Sequence, residues 1–149
     1  MLSNGVTVEG YVAASPAAIF DLLADPSRHR DLDGSGTLRG ATKAPSRLSL
    51  GARFGMNMKA GAPYTMVNEV VEFETDRRIA WQARPTVALA AKVVGGRIYR
   101  YELTPKGDGT LVRQTWDISS ERIPPLVWGL RGPVRRSMER TLHRIEKLT

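Results

Sequence analysis

The chain has 149 residues, with 22 basic and 15 acidic side chains, a net charge of +7 and no cysteine. Disulfides and thiolate chemistry are excluded, and the only histidines, His29 and His143, form no ligand-spaced cluster, so neither a metal site nor a cofactor is expected. The length suits one domain, 1–149, with a sizeable core; no run approaches the ~18–20 apolar residues of a membrane span, and MLSNGVTVEG lacks the basic-then-apolar order of a leader, so a cytoplasmic chain without an integral membrane segment is expected.

Val6 to Ala14 opens with β-branched residues in alternation and reads as a first strand. Ser15-Pro16 then places an N-cap before a first-turn proline, and Ile19, Phe20, Leu22 and Leu23 form the apolar side of a short helix. Asp25-Pro26-Ser27 stops it and starts a second short helical turn through Arg28, His29 and Arg30. Asp31 to Gly40 is rich in turn residues, with a short strand starting near Thr37. Gly51–Lys59, Tyr64–Glu74, Arg78–Arg84, Arg97–Pro105 and Thr110–Ser119 read as strands, and Lys106-Gly107-Asp108-Gly109 as a hairpin turn. Pro85 to Gly96 is apolar without a period and is compatible with a helix, a strand or an apolar loop.

The chain closes on PVRRSMERTLHRIEKL, Pro133 to Leu148. Val134, Met138, Leu142 and Ile145 recur at helical spacing and lay down one apolar stripe. Sixteen residues of helix reach roughly 24 Å, enough to cross a sheet. Arg131, Arg135, Arg136, Arg140 and Arg144 carry more than half of the excess positive charge. They read first as a solvated face, partly neutralised by Glu139 and Glu146. No stacking aromatic is interleaved with them, so no specific nucleic-acid partner is expected, whereas transient contact with an anionic membrane is compatible. Successive strands joined by turns pair antiparallel, which predicts an α+β domain with a twisted sheet packed on one long helix. The oligomeric state is left open.

Three segments in order, Ala14–His29 (ASPAAIFDLLADPSRH), Gly95–Asp117 (GGRIYRYELTPKGDGTLVRQTWD) and the terminal amphipathic helix, resemble the START-like, or helix-grip, superfamily. Within it the chain is most similar to the polyketide cyclase/dehydrase and lipid transport branch. The resemblance implies a curved antiparallel sheet of about seven strands wrapped around the C-terminal helix, with two short helices after the first strand. It also implies a cavity between sheet and helix for an apolar ligand. It implies no one reaction, and no catalytic residue is carried over.

Strand and helix periods nominate the cavity lining: Phe54, Met56, Met58, Met66, Trp81, Tyr99, Tyr101, Trp116, Val134, Met138 and Leu142. Plain core packing is the competing reading for each of them. Asn68 and Gln114 are nominated as polar points within it, and plain alternation puts Glu72 on the face of Asn68. His29, Asp31 and Asp33 form a possible acid/base set at the mouth, against which turn and capping chemistry is the better reading. The expected function is binding or transport of a small hydrophobic ligand: a lipid, a fatty acyl chain or a polyketide-like compound. The first alternative is a polyketide cyclase, dehydratase or aromatase, and the second a ligand-free interaction or stress-response module.

Overall fold

The computed structural model describes residues 5–87, 90, 92 and 95–149. Alternation buries Val6, Val8 and Val12 on β1 (Gly5–Val12). Ser15 Oγ then accepts the Ala18 amide at 3.1 Å and starts α1 (Pro16–Leu23), which buries Ile19, Phe20, Leu22 and Leu23. Asp25 caps the next 3₁₀ turn (Pro26–Arg28) by accepting the Ser27 amide at 3.0 Å, and the chain runs on into a four-residue helix, α2 (His29–Leu32).

Six strands follow: β2 (Leu38–Thr42), β3 (Arg53–Ala60), β4 (Ala62–Glu74), β5 (Arg78–Pro85), β6 (Arg97–Lys106) and β7 (Gly109–Asp117). Consecutive strands pair antiparallel, and β7 closes on β1, giving one seven-stranded sheet in the order β1-β7-β6-β5-β4-β3-β2. Gly107, with a φ of 58°, supplies the left-handed residue that the tight β6–β7 turn requires. Two helices end the chain: α3 (Pro124–Trp128) and α4 (Arg131–Leu148). The long helix therefore begins two residues before the position read from Gly132-Pro133. Pro133 falls in its first turn, where its missing N–H costs no helical bond.

The expected α+β helix-grip architecture is what the chain adopts. α4 packs against β1 and β7 and against α2. Of its stripe, Met138 and Ile145 are buried and Val134 and Leu142 half-buried. Gly10 on β1 admits Leu142: a Cβ at Gly10 would stand 2.4 Å from the leucine Cδ2.

One expectation fails within β4. The pairing with β5 slips between Val70 and Glu72, a bulge that reverses which side chains point inward. Asn68 and Val70 face the interior, as does Phe73, which meets Phe20 edge-on at 5.2 Å. Glu72 is thereby turned to the outer face, opposite to Asn68. There its carboxylate binds Arg100 at 2.6 Å and Arg78 at 3.1 Å. Of the segment 85–96, left open between helix, strand and loop, Pro85 ends β5, and residues 88, 89, 91, 93 and 94 lie outside the described residues.

Candidate functional site

The inner face of the sheet and the underside of α4 do not meet everywhere. Between them lies a cavity of about 280 Å³. The sheet contributes Met56 and Met58 from β3, Met66 and Asn68 from β4, Trp81 and Ala83 from β5, Tyr99 and Tyr101 from β6, and Gln114 from β7. α4 contributes Val134, Ser137, Met138 and Thr141. α2 and the loop after it close one end with His29, Leu32, Asp33, Ser35 and Thr37. Strand alternation accounts for the sheet wall: Trp81 pairs across β5–β6 with Tyr99, and Tyr101 across β6–β7 with Gln114.

Ten of the thirteen residues nominated from sequence lie on this cavity: Met56, Met58, Met66, Asn68, Trp81, Tyr99, Tyr101, Gln114, Val134 and Met138. Phe54, Trp116 and Leu142 do not. Phe54 points inward but lies beneath the His29 ring, with centroids 5.5 Å apart. Trp116 is fully buried in a separate cluster with Val6, Val8, Ile118 and Val127. Leu142 turns toward Gly10 on β1. Alternation says which face a side chain takes, not whether a neighbour covers it.

The residue that sequence reading undervalued is His29. It is buried among aromatics: its ring stacks on Trp81 at 4.7 Å and 21° and meets Phe54 edge-on. Its Nε2 lies 2.7 Å from the Leu23 carbonyl oxygen, which can only accept, so Nε2 carries the hydrogen. Burial pushes its pKa below the usual histidine value, outweighing the opposing pull of that bond and of Asp25 and Asp33, and the ring is neutral. The one sequence signal for an inward His29 was its spacing of three from Leu32, too short a pattern to separate from a turn.

Its two neighbours behave differently. Asp31 pairs with Arg28 at 2.9 Å on the surface. The Asp33 carboxylate accepts the Ser35 and Leu38 amides and the Ser35 hydroxyl, which is turn chemistry. The loop is then tied to α4. The Gly34 amide donates to Thr141 Oγ1 at 2.8 Å, Arg140 donates to the Gly34 carbonyl at 2.7 Å, and Arg144 donates to the Asp33 carbonyl. Part of the arginine face thus holds the cavity's end wall.

The remaining polar groups divide into satisfied and open. Gln114 Nε2 donates to the Met138 carbonyl at 2.9 Å and pins α4 to β7. Asn68 Nδ2 has no hydrogen-bond partner among the described residues. Burial raises the pKa of both Tyr99 and Tyr101, so both phenols stay protonated and neutral. The cavity therefore offers mostly apolar surface, with neutral polar groups on the sheet wall and at the α2 end, where Asp33 also borders it.

This fold and cavity define a helix-grip protein. The chain belongs to the family described as polyketide cyclase / dehydrase and lipid transport, whose family model matches residues 5–149. Among solved structures it is similar to CV1439 from Chromobacterium violaceum, with a TM-score of 0.74 at 15% identity over 97% of this chain and 96% of that one. NE0264 from Nitrosomonas europaea superposes with a TM-score of 0.73 at 14% identity, covering 99% and 96%. The uncharacterized protein Rv0088 of Mycobacterium tuberculosis is 44% identical over 71 residues, which are 47% of this chain and 32% of that protein. The chain thus spans about a third of the length of the curated relatives it matches. No helix among the described residues is long and apolar enough to cross a membrane.

Proposed function

We propose that the chain binds a small hydrophobic ligand in the cavity between the sheet and α4. The observation that carries this reading is the cavity itself, about 280 Å³ walled by methionines and aromatics in a family of lipid-transport and polyketide-processing proteins. Its volume lies near the lower end of the ~300–1,000 Å³ usual for small-molecule sites. A molecule of two or three fused rings, or a short acyl chain, suits that space better than a two-chain lipid. Four methionines on the wall, Met56, Met58, Met66 and Met138, suit a ligand whose outline varies. Apolar burial at roughly 25 cal/mol per Å² drives binding, offset by the cost of association and ordering.

The test is native mass spectrometry of freshly purified protein, followed by organic extraction. A stoichiometric adduct of one chemical class is the expected result. A bare mass, together with no melting-temperature shift from a broad panel of lipids and polycyclic aromatics, overturns the reading in favour of a ligand-free module.

A second reading is favoured by His29. A neutral imidazole whose Nδ1 is unpartnered, in an apolar cavity that also holds two protonated phenols, suits proton abstraction beside a carbonyl in a cyclase or dehydratase. Incubation with a reactive poly-β-keto thioester mimic separates the two: cyclised product formed by the wild type and lost in His29→Phe supports turnover, and binding without product supports the carrier.

A further inference from the structure

Two polar atoms at the α2 end of the cavity have no hydrogen-bond partner among the described residues: His29 Nδ1 and Asn68 Nδ2. Both residues are almost wholly buried, at 2% and 1% exposure, so bulk water does not serve them. An unpaired buried polar atom costs free energy, and such atoms recur where a ligand supplies the missing partner. Their chemistry is complementary. With its hydrogen held on Nε2 by the Leu23 carbonyl, the neutral His29 ring presents only a lone pair at Nδ1. Asn68 Nδ2 can only donate.

The sheet register makes them neighbours. Asn68 stands directly across from Phe54 on β3 and Ala83 on β5, one diagonal from Trp81. The His29 ring rests on those same two aromatics, 5.5 Å from Phe54 and 4.7 Å from Trp81. Both side chains therefore border the same Phe54–Trp81 corner of the cavity.

The charged groups bordering the cavity have their charges countered or held elsewhere. Arg100 turns its guanidinium to the outer face, where Glu72 and Asp117 bind it, and Arg97 is paired in charge with the buried Glu121 carboxylate at 3.6 Å, although its Nε has no hydrogen-bond partner among the described residues. The Asp33 carboxylate is held by its own loop. Neither arginine is left without a carboxylate beside it to receive an anionic headgroup, and Asp33 adds a negative charge at the α2 end.

We propose that this end of the cavity receives a neutral group carrying a hydrogen-bond donor beside an acceptor and turns away carboxylates and phosphates. A hydroxy or enolised carbonyl and a carboxamide have this form. The ligand's hydroxyl or N–H donates to His29 Nδ1, its carbonyl accepts from Asn68 Nδ2, and its apolar remainder lies toward the methionines. This assignment rests on the cavity's being a ligand site.

Three naphthalene probes of nearly equal size test it by titration calorimetry near pH 8. 2-Naphthamide offers donor and acceptor, 2-acetylnaphthalene an acceptor alone, and 2-naphthoate an anion. The expected order is naphthamide tightest, at least about tenfold over acetylnaphthalene, with naphthoate weakest. His29→Phe removes the preference for naphthamide over acetylnaphthalene. Asn68→Leu, a near-isosteric apolar change, weakens both. The wild-type ratio needs no variant and stands if His29→Phe fails to fold. Equal binding of the three probes, or a preference for naphthoate, overturns the polar-end assignment and leaves hydrophobic binding intact. If none of the three binds, the assignment falls together with the reading beneath it.

Discussion

The imidazole of His29 lies flat on the indole of Trp81, centroids 4.7 Å apart, with its Nε2 hydrogen committed to the Leu23 carbonyl at 2.7 Å. A charge there would lose its hydration, so the ring is neutral when folded and its pKa lies below the usual 6.5. In the unfolded chain it protonates normally. Between the folded-state pKa and 6.5 the unfolded state binds more protons, and stability rises with pH across that window. The melting temperature is expected to fall as pH is lowered from about 7.5 toward about 5.5, by up to ~1.4 kcal/mol of stability per pH unit inside the window. In His29→Phe this slope disappears. Thermal melts at constant ionic strength measure it, and an equal slope in the variant rejects the assignment.

Glu72 provides a control on the outer face. Arg100, 2.6 Å away, holds the Glu72 carboxyl below the usual carboxylate range. Its contribution is therefore present above about pH 4.5 and lost as acid protonates it through its folded-state pKa. Glu72→Gln is expected to cost roughly 1–2 kcal/mol at neutral pH, at the low end for charge-assisted bonds because the pair is partly solvated. The difference from wild type should vanish in strong acid. Ligand affinity should not change, since the bulge at Val70–Glu72 turns this carboxylate away from the cavity.

Gly34 is where the loop after α2 touches α4. A Cβ at this position would stand 2.2 Å from the Ser137 carbonyl oxygen and 2.7 Å from the Thr141 amide nitrogen, both backbone atoms of the helix. Gly34→Ala must push the loop off α4 and strain the Thr141 and Arg140 bonds to it. A loss of about 1–3 kcal/mol is expected in urea unfolding. Unchanged stability would mean that the loop is not packed on the helix as described.

Ala83 is buried, yet its side chain borders the cavity rather than other core atoms alone. Leucine at this position extends into free space. Ala83→Leu is expected to change stability by less than about 1.5 kcal/mol while weakening ligand binding at least about tenfold. Calorimetry and thermal melts on the same preparation separate the two effects.

The physics of strands explains which parts of the site were legible in the sequence. A period of two placed Met56 with Met58 and Tyr99 with Tyr101 on inner faces, because the pleat admits no other arrangement. The helical period likewise placed Val134 and Met138. The bulge in β4 was invisible because Val70 and Val71 are equally apolar, so the run VVEFE fits either face. Phe54 and Trp116 point inward as read, but depth depends on what covers a side chain, here His29 and the Val6–Val8 cluster. His29 itself sits on a helix of four residues, too short to show a face. Its burial is a tertiary fact, set by the Leu23 carbonyl and two aromatics drawn from distant strands.

The chain's five methionines make the cavity directly observable: Met56, Met58, Met66 and Met138 line it, and Met1 lies outside the described residues. The decisive measurement is a methyl-labelled methionine NMR titration with 2-acetylnaphthalene and a panel of short acyl and polycyclic compounds. Ligand in the cavity is predicted to shift or broaden the resonances of Met56, Met58, Met66 and Met138, saturably and together. Binding that moves none of these four, or no binding by any compound of the panel, would contradict the account.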